Sequence, residues 1–107
     1  MAVSEIDVDA LEELGPDNVQ LIDVREPAEY QQARVPGARL VPLATEPDIL
    51  PELDGTRAVY LICASGGRSL NAATWLSGHG FDAVNVAGGT KAWIAAGKAC
   101  ESDAAST

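Results

Sequence analysis

Short apolar runs alternate along the chain with short segments of helical period. Val19 to Val24, Arg39-Leu40-Val41, Arg57 to Ile62 and Ala83-Val84-Asn85-Val86 read as strands. The run ending at Ile62 is the most β-like and the most continuously apolar, the pattern of a central strand covered on both faces. Between the strands, Asp7 is placed to cap a helix over Val8 to Leu14, which Gly15-Pro16 stops. Pro27 suits the first turn of a second short helix carrying Ala28, Glu29 and Tyr30. Val35-Pro36-Gly37-Ala38 reads as a turn. Pro42, Pro47 and Pro51 leave room for one helical turn around Asp48 to Leu53. A helix of about ten residues follows Ser69 and reaches Ser77, and another runs from Thr90 to Ala96 with Gly97 as its stop. On these helices Leu70, Ala73 and Trp75, and then Trp93 with Ile94, are the expected packing faces.

Strand and helix in alternation predict an α/β domain with a mostly parallel sheet and helices on its faces. Ligands of such sheets bind beyond the carboxyl ends of the strands. The 107 residues make one domain, large enough to bury roughly 60 to 65% of its unfolded surface without a metal or a disulfide. Hydrophobic residues are 47% of the chain and aromatic ones only 5%, so Val, Leu, Ile and Ala must fill the interior. The domain is expected over 1–100, with 101–107 as a frayed tail.

Charge narrows the partners. Sixteen acidic against seven basic residues give a formal charge of −9, which argues against nucleic acid and against an anionic membrane surface. There is no run of about 18 apolar residues, and the start Met1-Ala2-Val3-Ser4-Glu5 lacks the basic and apolar stretches of a signal peptide. These features predict a cytoplasmic protein. Neither Cys63 nor Cys100 has a Cys or His partner at metal-ligand spacing, so no metal site is expected.

The segment Cys63-Ala64-Ser65-Gly66-Gly67-Arg68-Ser69 carries the chemistry. It sits between the central strand and a helix. Gly66-Gly67 allows a tight turn with amides pointing inward, and the helix start adds positive partial charge. A cysteine facing such a nest has its thiolate stabilised, which makes it a better nucleophile at neutral pH. Arg68 adds a fixed charge or pairs with a carboxylate. The one histidine, His79, falls near the far end of the following helix, too distant to serve as a base. The loop itself must activate the thiol, which suits a soft electrophile better than an amide.

Three blocks in this order resemble the single-domain rhodanese family of thiosulfate or persulfide sulfurtransferases: LIDVREPAEY with VPGA after it, YLICASGGRS, and VAGGTKAW. The resemblance implies a five-stranded sheet whose fifth strand lies near Ser4 to Ile6. It also implies that Cys63 takes up a sulfane sulfur as a persulfide, that the amides of Ala64, Ser65, Gly66, Gly67, Arg68 and Ser69 cradle it, and that no cofactor is needed. Phosphatases and arsenate reductases of similar fold carry one more residue between Cys and Arg, so the four-residue spacing here favours sulfur over phosphate.

Asp23 and Arg25 resemble the family's Asp-x-Arg element and are expected to support the loop, Asp23 by bonding amides and Arg25 by pairing with a carboxylate or by remaining a solvated surface charge. Ala33-Arg34 stands where many members have Gly-His, and Arg34 is expected to attract an anionic donor. The implied partners are thiosulfate or a small persulfide as donor, and cyanide, a small thiol or a thioredoxin-like or other sulfur-acceptor protein as acceptor. A relay module that passes its persulfide to a partner protein is the alternative.

Overall fold

In the computed structural model, which describes residues 3–42 and 50–103, five strands form one sheet. They are β1 (Ser4–Ile6), β2 (Gln20–Asp23), β3 (Arg39–Leu40), β4 (Val59–Ile62) and β5 (Ala83–Val86). All pair in parallel, in the spatial order β1-β5-β4-β2-β3. The four strands expected from patterning are present, and the fifth lies at Ser4–Ile6. The helices are α1 (Val8–Leu14), α2 (Pro27–Gln32), α3 (Gly67–Gly78) and α4 (Gly89–Ala95). Asp7 caps α1 through its carboxylate, which accepts from the Ala10 amide at 2.8 Å. A 3-10 turn at Leu50–Glu52 is the described part of the helical turn expected around Asp48 to Leu53, and the rest lies outside the described residues.

The period of two along β4 divides the core. Val59 and Leu61 face Ala72, Ala73 and Leu76 of α3, whereas Ile62 joins Leu11 of α1 and Trp93 of α4 on the opposite face. Two expected packing residues depart from this scheme. Leu70 is 41% exposed and Ile94 is 48% exposed. The reason is the 3.6-residue turn: α3 meets the sheet along Ser69, Ala72, Ala73 and Leu76, which leaves Leu70 about 100° round the helix. On the seven-residue α4, Trp93 fills the inward face, and its indole N–H donates to the Ala99 carbonyl at 2.8 Å.

Within the stretch expected as a tail, the described residues 101–103 pair with the segment around Gln31 and Arg34. Glu101 and Arg34 exchange both backbone hydrogen bonds, at 2.9 and 3.0 Å, and the Asp103 amide donates to the Gln31 carbonyl at 2.8 Å. The Arg34 guanidinium reaches Asp103 at 2.8 Å and Glu101 at 3.7 Å, and packs over the Tyr30 ring. The charge expected to attract an anionic donor is thus engaged with Glu101 and Asp103.

At the carboxyl edge of the sheet, the loop after β4 is tied to the start of α4. The Thr90 and Lys91 amides donate to the carbonyls of Cys63 and Ala64 at 2.8 and 2.9 Å. Gly89 makes this approach possible: its φ is +60°, and a Cβ there would collide with the Cys63 carbonyl oxygen. Gly97 has a φ of +76° but open space around it. Gly89→Ala is therefore expected to lower stability by about 2 kcal/mol or more, and Gly97→Ala by about 1 kcal/mol. Urea unfolding midpoints measure both, and equal losses would contradict the tight fit at Gly89.

Candidate active site

β4 delivers Cys63 to the carboxyl edge of the sheet, where the chain must turn into α3. Gly66 makes the turn in the left-handed region, at φ +109°, which favours glycine. Gly67, expected to share this role, is already the first residue of α3. The result places Cys63 Sγ against its own loop. The Gly66 amide donates to Sγ at 3.1 Å, and the Ser69 hydroxyl lies 3.3 Å from it. Burial pushes the Cys63 thiol up, but the Ser69 hydroxyl and the amides of Ser69, Gly66 and Ser65 together outweigh it, so the thiol sits below its ordinary value. The glycine turn predicts the amides; the Ser69 hydroxyl is a further donor that the turn alone does not imply.

Arg68 ends the loop but does not point a free charge at sulfur. Its guanidinium forms a two-pronged pair with Glu29 of α2, at 2.8 and 2.9 Å. Arg68 beside it is the main cause that holds the Glu29 carboxyl at about 2. Of the two roles open to Arg68 in the sequence, pairing is the one observed. Glu29 was legible only as part of the LIDVREPAEY block, with no signal in the sequence of which cation it meets.

Asp23 and Arg25 lie at the end of β2, beside the loop. Asp23 is fully buried and Arg25 is 5% exposed. Nε and a terminal nitrogen of Arg25 grip the Asp23 carboxylate at 2.8 to 3.1 Å, and that terminal nitrogen also donates to the Ala33 carbonyl at 2.8 Å. Asp23 further accepts from the Arg25 amide at 3.0 Å. The solvated reading of Arg25 is thereby corrected: the guanidinium is enclosed because its fork matches both a carboxylate and a carbonyl that α2 leaves at its end.

Beside the loop is a cleft of about 170 Å³ whose walls include Arg25, Glu29, Ala64, Thr90, Lys91 and Ile94. Its size is below the 300 Å³ at which drug-sized pockets begin. Among the described residues, Thr90 Oγ1 is the buried side-chain polar atom without a hydrogen-bond partner. Ile94, expected on a packing face, instead forms part of this wall.

His79 ends α3, where its ring nitrogen meets the Trp75 carbonyl at 2.9 Å and its ring packs on Trp75. Twelve helical residues, roughly 18 Å of rise, separate it from the loop. Cys100 is exposed and Cys63 buried, both as free thiols. Among the described residues, no three His, Cys, Asp or Glu side chains converge as metal ligands, and no helix is long and apolar enough to cross a membrane.

In the sequence Asn85 marks only a position in the strand Ala83–Val86. It is 1% exposed, and its Oδ1 lies 2.5 Å from the Ser69 hydroxyl oxygen. A polar residue inside a four-residue buried strand was the available signal.

Comparison with known proteins places this geometry. The model of the rhodanese-like domain matches residues 8–96. A Bacillus subtilis protein named putative sulfurtransferase YtwF is 37% identical over 95 residues, covering 87% of this chain and 92% of the relative. The chloroplastic rhodanese-like/PpiC domain-containing protein 12 of Arabidopsis thaliana is 42% identical over 82 residues, 72% of this chain, which spans only 27% of that longer protein. The crystal structure of a rhodanese-like domain protein from Staphylococcus aureus superposes with a TM-score of 0.80 at 36% identity, covering 85% of this chain and 91% of the other. With its parallel sheet and its cysteine loop at the carboxyl end of β4, the chain belongs to the rhodanese-like domain family.

Proposed function

We propose that the protein is a sulfurtransferase in which Cys63 carries a sulfane sulfur from thiosulfate or a small persulfide to a thiol or cyanide. The observation that carries this reading is the convergence of the loop amides and the Ser69 hydroxyl on one buried sulfur. The sulfurtransferase name of the Bacillus subtilis relative supports it.

The chemistry needs no base. The Cys63 thiolate attacks the outer sulfur of thiosulfate; a bond forms between the two sulfurs, the donor's own S–S bond breaks, and sulfite leaves with the electron pair. The negative charge then rests on the terminal sulfur of the Cys63 persulfide. Inward-facing amides at the start of α3 stabilise that charge without having to reorganise. An acceptor thiolate attacks the terminal sulfur, takes it away as a new persulfide, and returns Cys63 as thiolate. Cyanide does the same and leaves as thiocyanate. The two half-reactions predict ping-pong kinetics.

In this reading Asp23, Arg25 and Arg68 brace the site, since each charge is already paired. Ala64, Ser65, Gly66, Gly67 and Ser69 supply the cradle. Among the described cations of the cleft wall, Lys91 has its amide in the loop's support and its exposed side chain at the rim. The narrow cleft suits a small donor, or the tip of an acceptor protein's thiol-bearing segment.

Intact mass spectrometry tests the reading. After thiosulfate or glutathione persulfide, the protein is expected to gain one sulfur atom that cyanide removes and that Cys63→Ser never acquires. No gain from either donor would refute the proposal. A second outcome concerns Arg68. Arg68→Ala should lower kcat/KM by about tenfold, and by the same factor for thiosulfate and for a persulfide, because the loop loses its brace. A loss confined to thiosulfate would instead make Arg68 a donor-binding residue.

A further inference from the structure

The Ser69 hydroxyl has one proton and more than one claimant. Its oxygen is 3.3 Å from Cys63 Sγ, 3.3 Å from the Gly66 carbonyl oxygen and 2.5 Å from Asn85 Oδ1. A hydroxyl donates a single hydrogen bond. At these distances Asn85 Oδ1 is the nearest acceptor of that proton and competes for it with Cys63 Sγ.

Why Asn85 presents its oxygen to Ser69 follows from the far side of the amide. Asn85 Nδ2 donates to Glu5 Oε2 at 2.8 Å and to the Gly66 carbonyl at 3.3 Å. A carboxylate and a backbone carbonyl only accept, so Glu5, at the shorter distance, and the Gly66 carbonyl draw the nitrogen end of the amide toward themselves and leave the oxygen end toward Ser69. The sheet sets this up. Glu5 of β1 and Asn85 of β5 are direct partners in the parallel register, so their side chains share one face of the sheet. Glu5 is exposed, whereas Asn85 and Ser69 are buried.

We infer that Glu5, a surface residue on the edge strand, governs the reactivity of Cys63 across three hydrogen bonds, by locking the Asn85 amide so that the Ser69 proton is drawn away from sulfur. Glu5 and Asn85 are positioning residues: neither touches sulfur, and both act through Ser69. When Cys63 loses its proton, the Ser69 hydroxyl must turn from Asn85 to the thiolate and abandon the shorter bond. Freeing the amide removes that opposition. Glutamine in place of Glu5 both donates and accepts, so position 5 no longer fixes the Asn85 amide; in the fraction where Asn85 turns over, its nitrogen donates to the Ser69 oxygen and the hydroxyl proton is released to sulfur. The charged pairs at the loop, Arg68 with Glu29 and Asp23 with Arg25, are unaltered by this change.

The inference rests on Cys63 being the nucleophile proposed above, but its test reads the sulfur directly and needs no sulfur transfer. In a Cys100→Ser background, the rate of Cys63 alkylation by iodoacetamide is followed against pH for the parent and for Glu5→Gln. The variant is expected to react about threefold faster on the acid limb, a midpoint shift of about half a pH unit. Its plateau at high pH should be slightly lower, because a less basic thiolate is a weaker nucleophile. The two profiles therefore cross, which a merely loosened loop would not produce. Adding Ser69→Ala to both proteins should abolish the difference. Superimposable profiles for the parent and Glu5→Gln, or an alkaline shift, would overturn the inference. So would an acid shift that survives Ser69→Ala, since that would be the plain loss of a negative charge acting through space.

Discussion

The site depends on one constraint: the chain must leave β4 at Cys63 and enter α3 at Gly67 with its intervening amides turned inward. Such a loop does not hold itself. Gly66 takes the left-handed turn, and the first residues of α4 approach from the other side to bond the carbonyls of Cys63 and Ala64. With the carbonyls bound outside, the amides are left to face the sulfur. Gly89 is the residue whose missing side chain makes room for this division of labour. Packing, loop geometry and thiol chemistry are therefore one problem here, and an added methyl group at Gly89 reaches all three.

A chain with a formal charge of −9 is an unpromising host for a thiolate. The structure answers with short-range dipoles in place of a net positive field. Around the loop, the two nearest guanidinium groups are each matched to a carboxylate, Arg25 to Asp23 and Arg68 to Glu29. These pairs fix the ends of β2 and α2 against the loop and leave little charge uncompensated. Stabilisation of the sulfur then falls to amides and one hydroxyl, which act at close range and in a dry setting. Arg34, another cation near α2, holds Glu101 and Asp103.

Much of this was legible in the sequence because periodicity and turn residues act locally. The apolar run through Ile62, the cap at Asp7 and the glycines around Cys63 each announce their structure within a few residues. What was not legible depends on contacts between distant segments. Leu70 and Ile94 were assigned to packing faces because a helix of unknown azimuth offers several apolar stripes, and only the docking of α3 and α4 chooses among them. Arg34 and the stretch from Glu101 to Asp103 are distant in sequence, so their pairing is not legible from either segment alone. The role of Asn85 is hidden in the sequence for the same reason: its partners, Glu5 and Ser69, come from the first strand and from the active loop.

The central claim is that buried hydrogen-bond donors, not a free cation or a base, make Cys63 reactive. The most direct test is to titrate the Cys63 thiolate by its ultraviolet absorbance in a Cys100→Ser protein, at low and at high ionic strength. The account predicts a midpoint below the ordinary cysteine value of about 8.5 that does not rise with salt, because dipoles at hydrogen-bond distance are not screened while screening of the chain's net negative charge acts to lower it. A midpoint at or above the ordinary value, or one that rises with added salt, would contradict it.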